Sequence, residues 1–243
     1  MPAFEHAVSL GYRWLETDVH VTRDGVVVAF HDDRLDRVTD GSGRIIDLGI
    51  DEVRSADAGY WFTLDGGATY PFRARGVTVP TLEELLTRWP EVRVNIDAKA
   101  DPTVAPLMRV LHRLGALPRV CLASFSDRRL ARMRALARGA AVTSMGRCRV
   151  AAAYLSSRVS RMPGGGAARA QVPFRAGGVR IVDRRFVSAA HRAGIAVDVW
   201  TVNARDEMEE LVELGVDGVM SDRLQLLKDV LSARGVWEND SHG

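Results

Sequence analysis

Polar and apolar side chains alternate strictly in the first part of this sequence. Residues 14–21 read W-L-E-T-D-V-H-V, and this period of two predicts a strand that carries Glu16, Asp18 and His20 on one face. Same-face neighbours in a strand lie about 6.5–7 Å apart. The spacing therefore allows two carboxylates to bind one divalent cation.

A hairpin is predicted directly after this strand. Residues 23–25 read R-D-G, a turn sequence, and the apolar run 26–30 follows. The returning strand ends at His31 and Asp32. The two acids of the first strand and an imidazole thus come from adjacent strands.

After residue 79 the pattern changes to short apolar strands that alternate with amphipathic helices of about ten residues. Such alternation predicts an α/β fold with a parallel sheet and crossover helices. Seven strands are predicted, and they begin near residues 13, 92, 119, 140, 170, 195 and 216. A (β/α)8 TIM barrel has eight. Because the chain begins in a helix, we expect a barrel whose first strand is missing from this sequence; an open sheet is the alternative.

One domain is predicted over residues 1–235. Residues 32–79 are rich in turns but mix aromatic and charged side chains, which indicates a functional insertion rather than a linker. Residues 236–243 are expected to form a tail.

Composition narrows the classes of function. The 243 residues are 47% hydrophobic and the formal net charge is only +2, with basic residues spread along the chain, so no nucleic-acid partner is predicted. No run reaches transmembrane length and no signal-peptide pattern is present, which predicts a cytoplasmic protein. The two cysteines lack metal or CxxC spacing, and a reduced structural role is expected for both.

A second informative strand covers residues 92–99 and ends in acidic and basic side chains. Asp97 and Lys99 lie at its carboxyl end, where active sites of (β/α)8 barrels gather. Asp97 together with Glu16 and Asp18 forms a set of oxygen ligands suited to Mg²⁺ or Ca²⁺. Lys99 beside them is suited to a phosphate oxygen. The alternative is that these acids pair with surface arginines.

Three further side chains need an explanation. His31 at a strand end next to a carboxylate pair is a candidate general acid or base. His20 is either a supporting residue of that site or structural. Trp200 ends an apolar strand, where it either walls a substrate pocket or belongs to the core.

These motifs together resemble the glycerophosphodiester phosphodiesterase family. The first and longest match is E-T-D-V-H-V-T-R-D-G-V-V-V-A-F-H-D-D-R-L-D-R-V-T-D-G-S-G at residues 16–43. It is followed, in the family's order, by V-P-T-L-E-E-L-L, V-N-I-D-A-K, A-S-F-S, V-W-T-V-N and G-V-D-G-V-M-S-D. The resemblance runs from residue 3 to about 227.

The resemblance implies a (β/α)8 barrel that uses a divalent metal to hydrolyse glycerophosphodiesters to an alcohol and glycerol 3-phosphate. Carried over by position, it assigns His31 as a catalytic acid or base, Lys99 to the phosphate and Trp200 to the substrate. The implied metal ligands are Glu16, Asp18 and Asp97. At the position of Asp97 the family usually has Glu. Related sphingomyelinase-D-like enzymes look similar to this chain in having Asp there.

The sequence departs from the family at its beginning. Family members start with a strand that ends in His-Arg-Gly and continue through Pro-Glu-Asn-Thr into a helix, and residues 1–8 align with the start of that helix. The partner histidine, a phosphate-binding arginine and the first strand are therefore expected upstream of Met1, or else the chain is truncated.

Three functions remain open at this stage. The leading hypothesis is hydrolysis of a small-molecule glycerophosphodiester, with a place in lipid or glycerol metabolism. A phospholipase-D-like lyase that forms a cyclic phosphate is the second. The third is a truncated, catalytically impaired protein that binds a metal or a phosphodiester.

Overall fold

The computed structural model describes residues 1–158, 162 and 166–237 of the chain. Its helices are α1 (Pro2–Ser9), α2 (Ile50–Ser55), α3 (Leu82–Arg88), α4 (Val104–Arg113), α5 (Asp127–Ala137), α6 (Arg147–Ser157), α7 (Arg184–Arg192), α8 (Arg205–Leu214) and α9 (Leu224–Ala233). Its strands are β1 (Trp14–Val21), β2 (Val27–Ala29), β3 (Arg93–Ala98), β4 (Val120–Ala123), β5 (Val142–Thr143), β6 (Arg169–Pro173), β7 (Arg175–Ala176), β8 (Val179–Arg180), β9 (Ala196–Trp200) and β10 (Gly218–Val219).

The predicted alternation of strands and helices is confirmed. All seven predicted strands are present, and β2 is the returning strand of the predicted hairpin. The sequence pattern missed the small hairpin of β7 and β8, because two-residue strands are too short to show a period. Residues 162–168 read M-P-G-G-G-A-A, which predicts a loop, and residues 163–165 of it lie outside the described residues.

The chain divides into two compact units, and the first comprises residues 1–6, 13–122 and 131–141. Its strands lie in the order β2-β1-β3-β4. Strand β1 runs antiparallel to β2 and parallel to β3, and the register places Asp18 directly opposite Asp97. Parallel pairing brings the carboxyl ends of β1 and β3 to the same edge of the sheet.

The pattern of side chains explains why β1 and β3 form the centre of this unit. On one face of β3, Val94, Ile96 and Ala98 are fully buried, as are Leu15 and Val19 on β1. Burial of each valine, leucine or isoleucine side chain contributes about 1.5–3 kcal/mol to the stability of the fold. The apolar face thus anchors both strands, and the opposite face carries the polar residues.

The long segment between β2 and α3 has its own small core. Leu35, Ile45 and Val53 are buried and pack with residues from β2 and with Val79. Residues 81–84 read T-L-E-E, a sequence that predicts a capping box, and the structure confirms it. The Thr81 hydroxyl accepts a hydrogen bond from the Glu84 backbone N–H, and the Glu84 carboxylate accepts one from the Thr81 backbone N–H. This core and cap fix the loop that follows His31.

The second unit comprises residues 7–12, 123–130 and 142–243, as far as they are described. Its parallel sheet has the order β10-β9-β6, and Phe186 of α7 is fully buried in its core. At the other end of the chain, Trp237 contacts the ring of Tyr12 edge to face, with 4.8 Å between the centroids. Trp237 belongs to the predicted tail, whose residues 238–243 lie outside the description.

Two predictions about organisation are not decided by these observations. A single domain over residues 1–235 and a closed barrel both remain predictions. Among the described residues, no helix has the length and apolar composition needed to cross a membrane.

Candidate active site

Three of the predicted site residues meet at the carboxyl ends of β1 and β3. The Lys99 ammonium Nζ lies 2.7 Å from Asp18 Oδ1 and 3.0 Å from Asp97 Oδ2. All three side chains are largely buried. Because Asp18 and Asp97 are register partners on neighbouring strands, the ammonium group of Lys99 forms an ion pair with both of them.

Burial and charge act against each other in this cluster. Burial raises the pKa of Asp18, and the hydrogen bond from Lys99 only partly offsets that effect. Burial also disfavours the charged form of Lys99, but the hydrogen bond to Asp18 and the charges of both acids outweigh it, so the pKa of Lys99 lies above its usual value. Two carboxylates share one ammonium, and the fully ionised cluster carries an excess negative charge.

The donor chemistry of this cluster fits a hard divalent cation. Asp97 Oδ1 is buried and makes no hydrogen bond within the described residues, so it has an unused lone pair. Glu16, on the same face as Asp18, is exposed and opposite Asn95. Within the described part of the chain, however, no three His, Cys, Asp or Glu side chains are grouped as a metal site. The assignment of Glu16, Asp18 and Asp97 as metal ligands therefore stays a prediction.

His31 lies beside the acid cluster formed by Asp18, Asp97 and Lys99, and each nitrogen of its ring faces a carboxylate. Nδ1 is 2.6 Å from Asp32 Oδ1, and Nε2 is 3.8 Å from Asp18 Oδ2. With 72% of its side chain exposed, the ring is accessible to a ligand. Because Asp32 accepts the hydrogen on Nδ1, Nε2 is left to face the acid cluster.

Asp32 and Arg37 are the residues that the sequence interpretation missed. Arg37 donates to Asp32 through Nε and Nη2, at 2.6 Å and 3.0 Å. These bonds, together with the one from His31, lower the pKa of Asp32 to about 2. The available signal was an aspartate directly after the histidine with an arginine five residues later.

His20 has a supporting role in the structure. It is buried, and its Nε2 lies 3.2 Å from the backbone carbonyl oxygen of His31. Burial lowers the pKa of His20, which keeps the ring neutral. A neutral Nε2–H donates to that carbonyl and steadies the backbone of His31.

Trp200 lies at the end of β9 in the second unit, where it is only partly buried. Its ring contacts Phe125 edge to face, with 5.6 Å between the centroids. Trp200 is therefore not a fully buried core residue, and its contact with substrate remains a prediction.

The hydrogen bonds from Arg37 should control the ionisation of Asp32. A carboxyl group with a lowered folded pKa stabilises the protein above its unfolded value near 3.8, and this stability is lost as the pH falls toward about 2. We expect Arg37→Met to raise the Asp32 pKa toward its usual value, as measured by ¹³C NMR titration of the carboxyl carbon from pH 6 down to about 1.5. The loss of stability at low pH should shrink accordingly. Arg34→Met is the control, because Arg34 pairs with Asp36. An unchanged Asp32 titration in the Arg37 variant would contradict the assignment.

Comparison with known proteins identifies the family to which this chain belongs. The sequence profile of the glycerophosphoryl diester phosphodiesterase family matches residues 1–226. A probable glycerophosphodiester phosphodiesterase 2 of Mycobacterium tuberculosis is 39% identical over 248 residues, which cover 98% of this chain and 86% of that protein. The chain belongs to the glycerophosphoryl diester phosphodiesterase family, and the names of its relatives support enzymatic activity of this type.

Solved structures agree with the sequence comparison. The glycerophosphoryl diester phosphodiesterase domain of an uncharacterised M. tuberculosis protein aligns with a TM-score of 0.83 at 21% identity, over 95% of this chain and 91% of that one. A phosphodiesterase of Oleispira antarctica, solved with the product sn-glycerol-3-phosphate, aligns with a TM-score of 0.73 at 25% identity, over 95% and 90%. The resemblance inferred from the sequence motifs is thus confirmed.

Proposed function

We propose that this chain is a metal-dependent phosphoric diester hydrolase that cleaves glycerophosphodiesters to an alcohol and glycerol 3-phosphate. The observation that carries the proposal is the meeting of Asp18, Asp97, Lys99 and His31 at the carboxyl ends of adjacent strands. The product seen in the O. antarctica relative supports glycerol phosphate as one half of the substrate.

The proposal assigns Glu16, Asp18 and Asp97 to a Mg²⁺ or Ca²⁺ ion. The unused lone pair of buried Asp97 Oδ1 and the excess negative charge of the cluster support this assignment. When bound, such an ion neutralises charge on the phosphate oxygens and promotes attack by water. Asp97 is one methylene shorter than the glutamate usual in the family.

Lys99 and His31 divide the remaining tasks. Lys99 exchanges a carboxylate for a phosphate oxygen and binds it as a point charge. Water adds its oxygen to phosphorus and releases a proton to solvent, the bond from phosphorus to the alcohol oxygen breaks, and protonated His31 gives its Nε2 proton to that departing oxygen. His31 takes up a proton from solvent before the next turnover. Asp32 accepts from Nδ1 throughout and keeps the ring oriented.

Two finer parts of the proposal concern the second unit and the fold. The proposal keeps Trp200 as a substrate-binding residue, a role consistent with its partial exposure at a strand end. The strands belong to a (β/α)8 barrel, and the TM-score of 0.83 supports this part.

The test is turnover of glycerophosphocholine with Mg²⁺ or Ca²⁺ and with a chelator, followed by ³¹P NMR. We expect glycerol 3-phosphate to appear only with the metal. A cyclic phosphate product would favour a lyase instead, and binding without turnover would favour a phosphodiester-binding protein.

A separate binding experiment tests the metal ligands. Calorimetric titration of Mg²⁺ or Ca²⁺ into the protein should show tight binding, and the double variant Glu16→Gln with Asp18→Asn should abolish it. The control is Asp36→Asn, because Asp36 is an exposed aspartate that pairs with Arg34 on the surface. Unchanged affinity in the double variant would rule out this ligand set.

A further inference from the structure

An open cleft of about 730 Å³ adjoins His31 and Lys99 in the first unit. This volume is within the range of about 300–1,000 Å³ typical of small-molecule sites. The cleft is lined mainly by charged side chains, among them His31, Asp32, Arg34, Arg37, Arg44 and Lys99. Lys99 and His31 belong to the candidate active site, so a substrate bound there extends into this cleft.

The three arginines of the cleft differ in the hydrogen bonds that their guanidinium groups donate to neighbouring carboxylates. Arg34 gives two hydrogen bonds to Asp36, at 3.1 Å and 3.2 Å, and Arg37 gives two to Asp32. Arg44 Nε reaches no closer than 4.0 Å to its acidic neighbour Asp33, and half of its side chain is exposed. Its guanidinium therefore keeps donors for a ligand.

The lining favours one chemical class of alcohol. Guanidinium donors alternate with the carboxylates of Asp32, Asp33 and Asp36, so a ring of hydroxyl groups finds both donors and acceptors. A trimethylammonium group can neither donate nor accept a hydrogen bond, and recognition of such groups commonly uses aromatic rings. The described residues that line the cleft include no Phe, Tyr or Trp.

We propose that this cleft binds the alcohol half of the substrate and selects a polyhydroxyl alcohol over choline. The inference rests on the proposed function, because His31 protonates the oxygen of the alcohol that leaves. Arg44 is the residue that determines specificity, since its contact with Asp33 is long, at 4.0 Å, and half of its side chain is exposed. The preferred substrates are accordingly glycerophosphodiesters of inositol or glycerol.

The test compares kcat/KM for glycerophosphoinositol and glycerophosphocholine in three proteins. In the unaltered chain we expect the inositol ester to be favoured by about tenfold or more, because a hydrogen bond from a charged group has roughly that effect. Arg44→Met should remove most of this preference by lowering kcat/KM for the inositol ester. Arg88→Met is the matched control, since Arg88 is a surface arginine that pairs with Glu5 outside the cleft.

The outcomes separate this inference from the function on which it rests. Equal or better turnover of the choline ester, or a preference that Arg44→Met leaves intact, would overturn the cleft assignment alone. If neither ester is cleaved with Mg²⁺ or Ca²⁺, the proposed function fails and the inference with it. Calorimetric binding of both intact esters to a His31→Asn variant gives a second readout, in which the inositol ester should again bind more tightly and Arg44→Met should abolish the difference.

Discussion

Replacement of His31 by asparagine should lower the kcat of glycerophosphodiester hydrolysis by about 10²- to 10⁴-fold, the range attributed to a positioned general acid or base. The ring nitrogen facing Asp18 is the proposed proton donor, and asparagine has no group that titrates near neutral pH. The free energy of unfolding should change by less than about 0.5 kcal/mol, because His31 is mostly exposed. Steady-state kinetics by ³¹P NMR, together with urea denaturation, measure the two effects.

A matched histidine makes this prediction specific. His112 on α4 is also exposed, and its Nε2 lies 3.1 Å from the backbone carbonyl oxygen of Leu136, which is not part of the candidate active site. His112→Asn should therefore retain full turnover. A substrate with an acidic leaving group, such as a nitrophenyl ester, needs no proton at the departing oxygen, and the His31 variant should lose far less activity on it. Equal losses on both substrates would show that His31 does not act as the acid.

Strand periodicity fixes which side chains share a face, so the shared face of Glu16 and Asp18 was predictable from the sequence. Alternation along β1 placed Glu16 and Asp18 together, and the structure adds that Asp18 and Asp97 are register partners. Register depends on how two distant segments align, and alternation within one strand does not contain that information. For the same reason the salt bridge of Lys99 to both acids was found only in three dimensions.

Contacts within the irregular segments could not be predicted from the sequence in this way. Asp32 and Arg37 lie in the loop after β2, where no period links sequence position to direction, and the turn that brings them together depends on the small core around Leu35 and Ile45. The capping box of α3 was predictable because its hydrogen bonds are local, between residues three apart. Local signals were therefore readable from the sequence, and the partners of His31 and Lys99 required the fold.

The buried ion pair of the second unit should have the largest effect on stability. Arg169 on β6 donates to both carboxylate oxygens of Asp198 on β9, at 2.6 Å and 2.5 Å. Asp198 is almost fully buried, and its carboxylate packs so close to Gly218 that a Cβ there would lie 2.5 Å from Oδ1. Arg169→Met leaves the Asp198 carboxylate buried without its guanidinium partner. Among the described residues, its remaining side-chain donor is the Gln171 amide, at 3.4 Å. We expect a loss of about 3–5 kcal/mol in the free energy of unfolding.

Two further variants show whether the uncompensated charge causes this loss. Adding Asp198→Asn to the Arg169→Met background removes the buried charge at almost unchanged volume, so the double variant should be more stable than Arg169→Met alone. Arg205→Met breaks an exposed pair with Glu209, 3.6 Å apart on one helix, and should cost no more than about 0.5 kcal/mol. All four proteins can be compared by urea denaturation at one pH. If Arg169→Met cost as little as the exposed control, β6 and β9 would be held by their apolar packing, with the ion pair contributing nothing measurable.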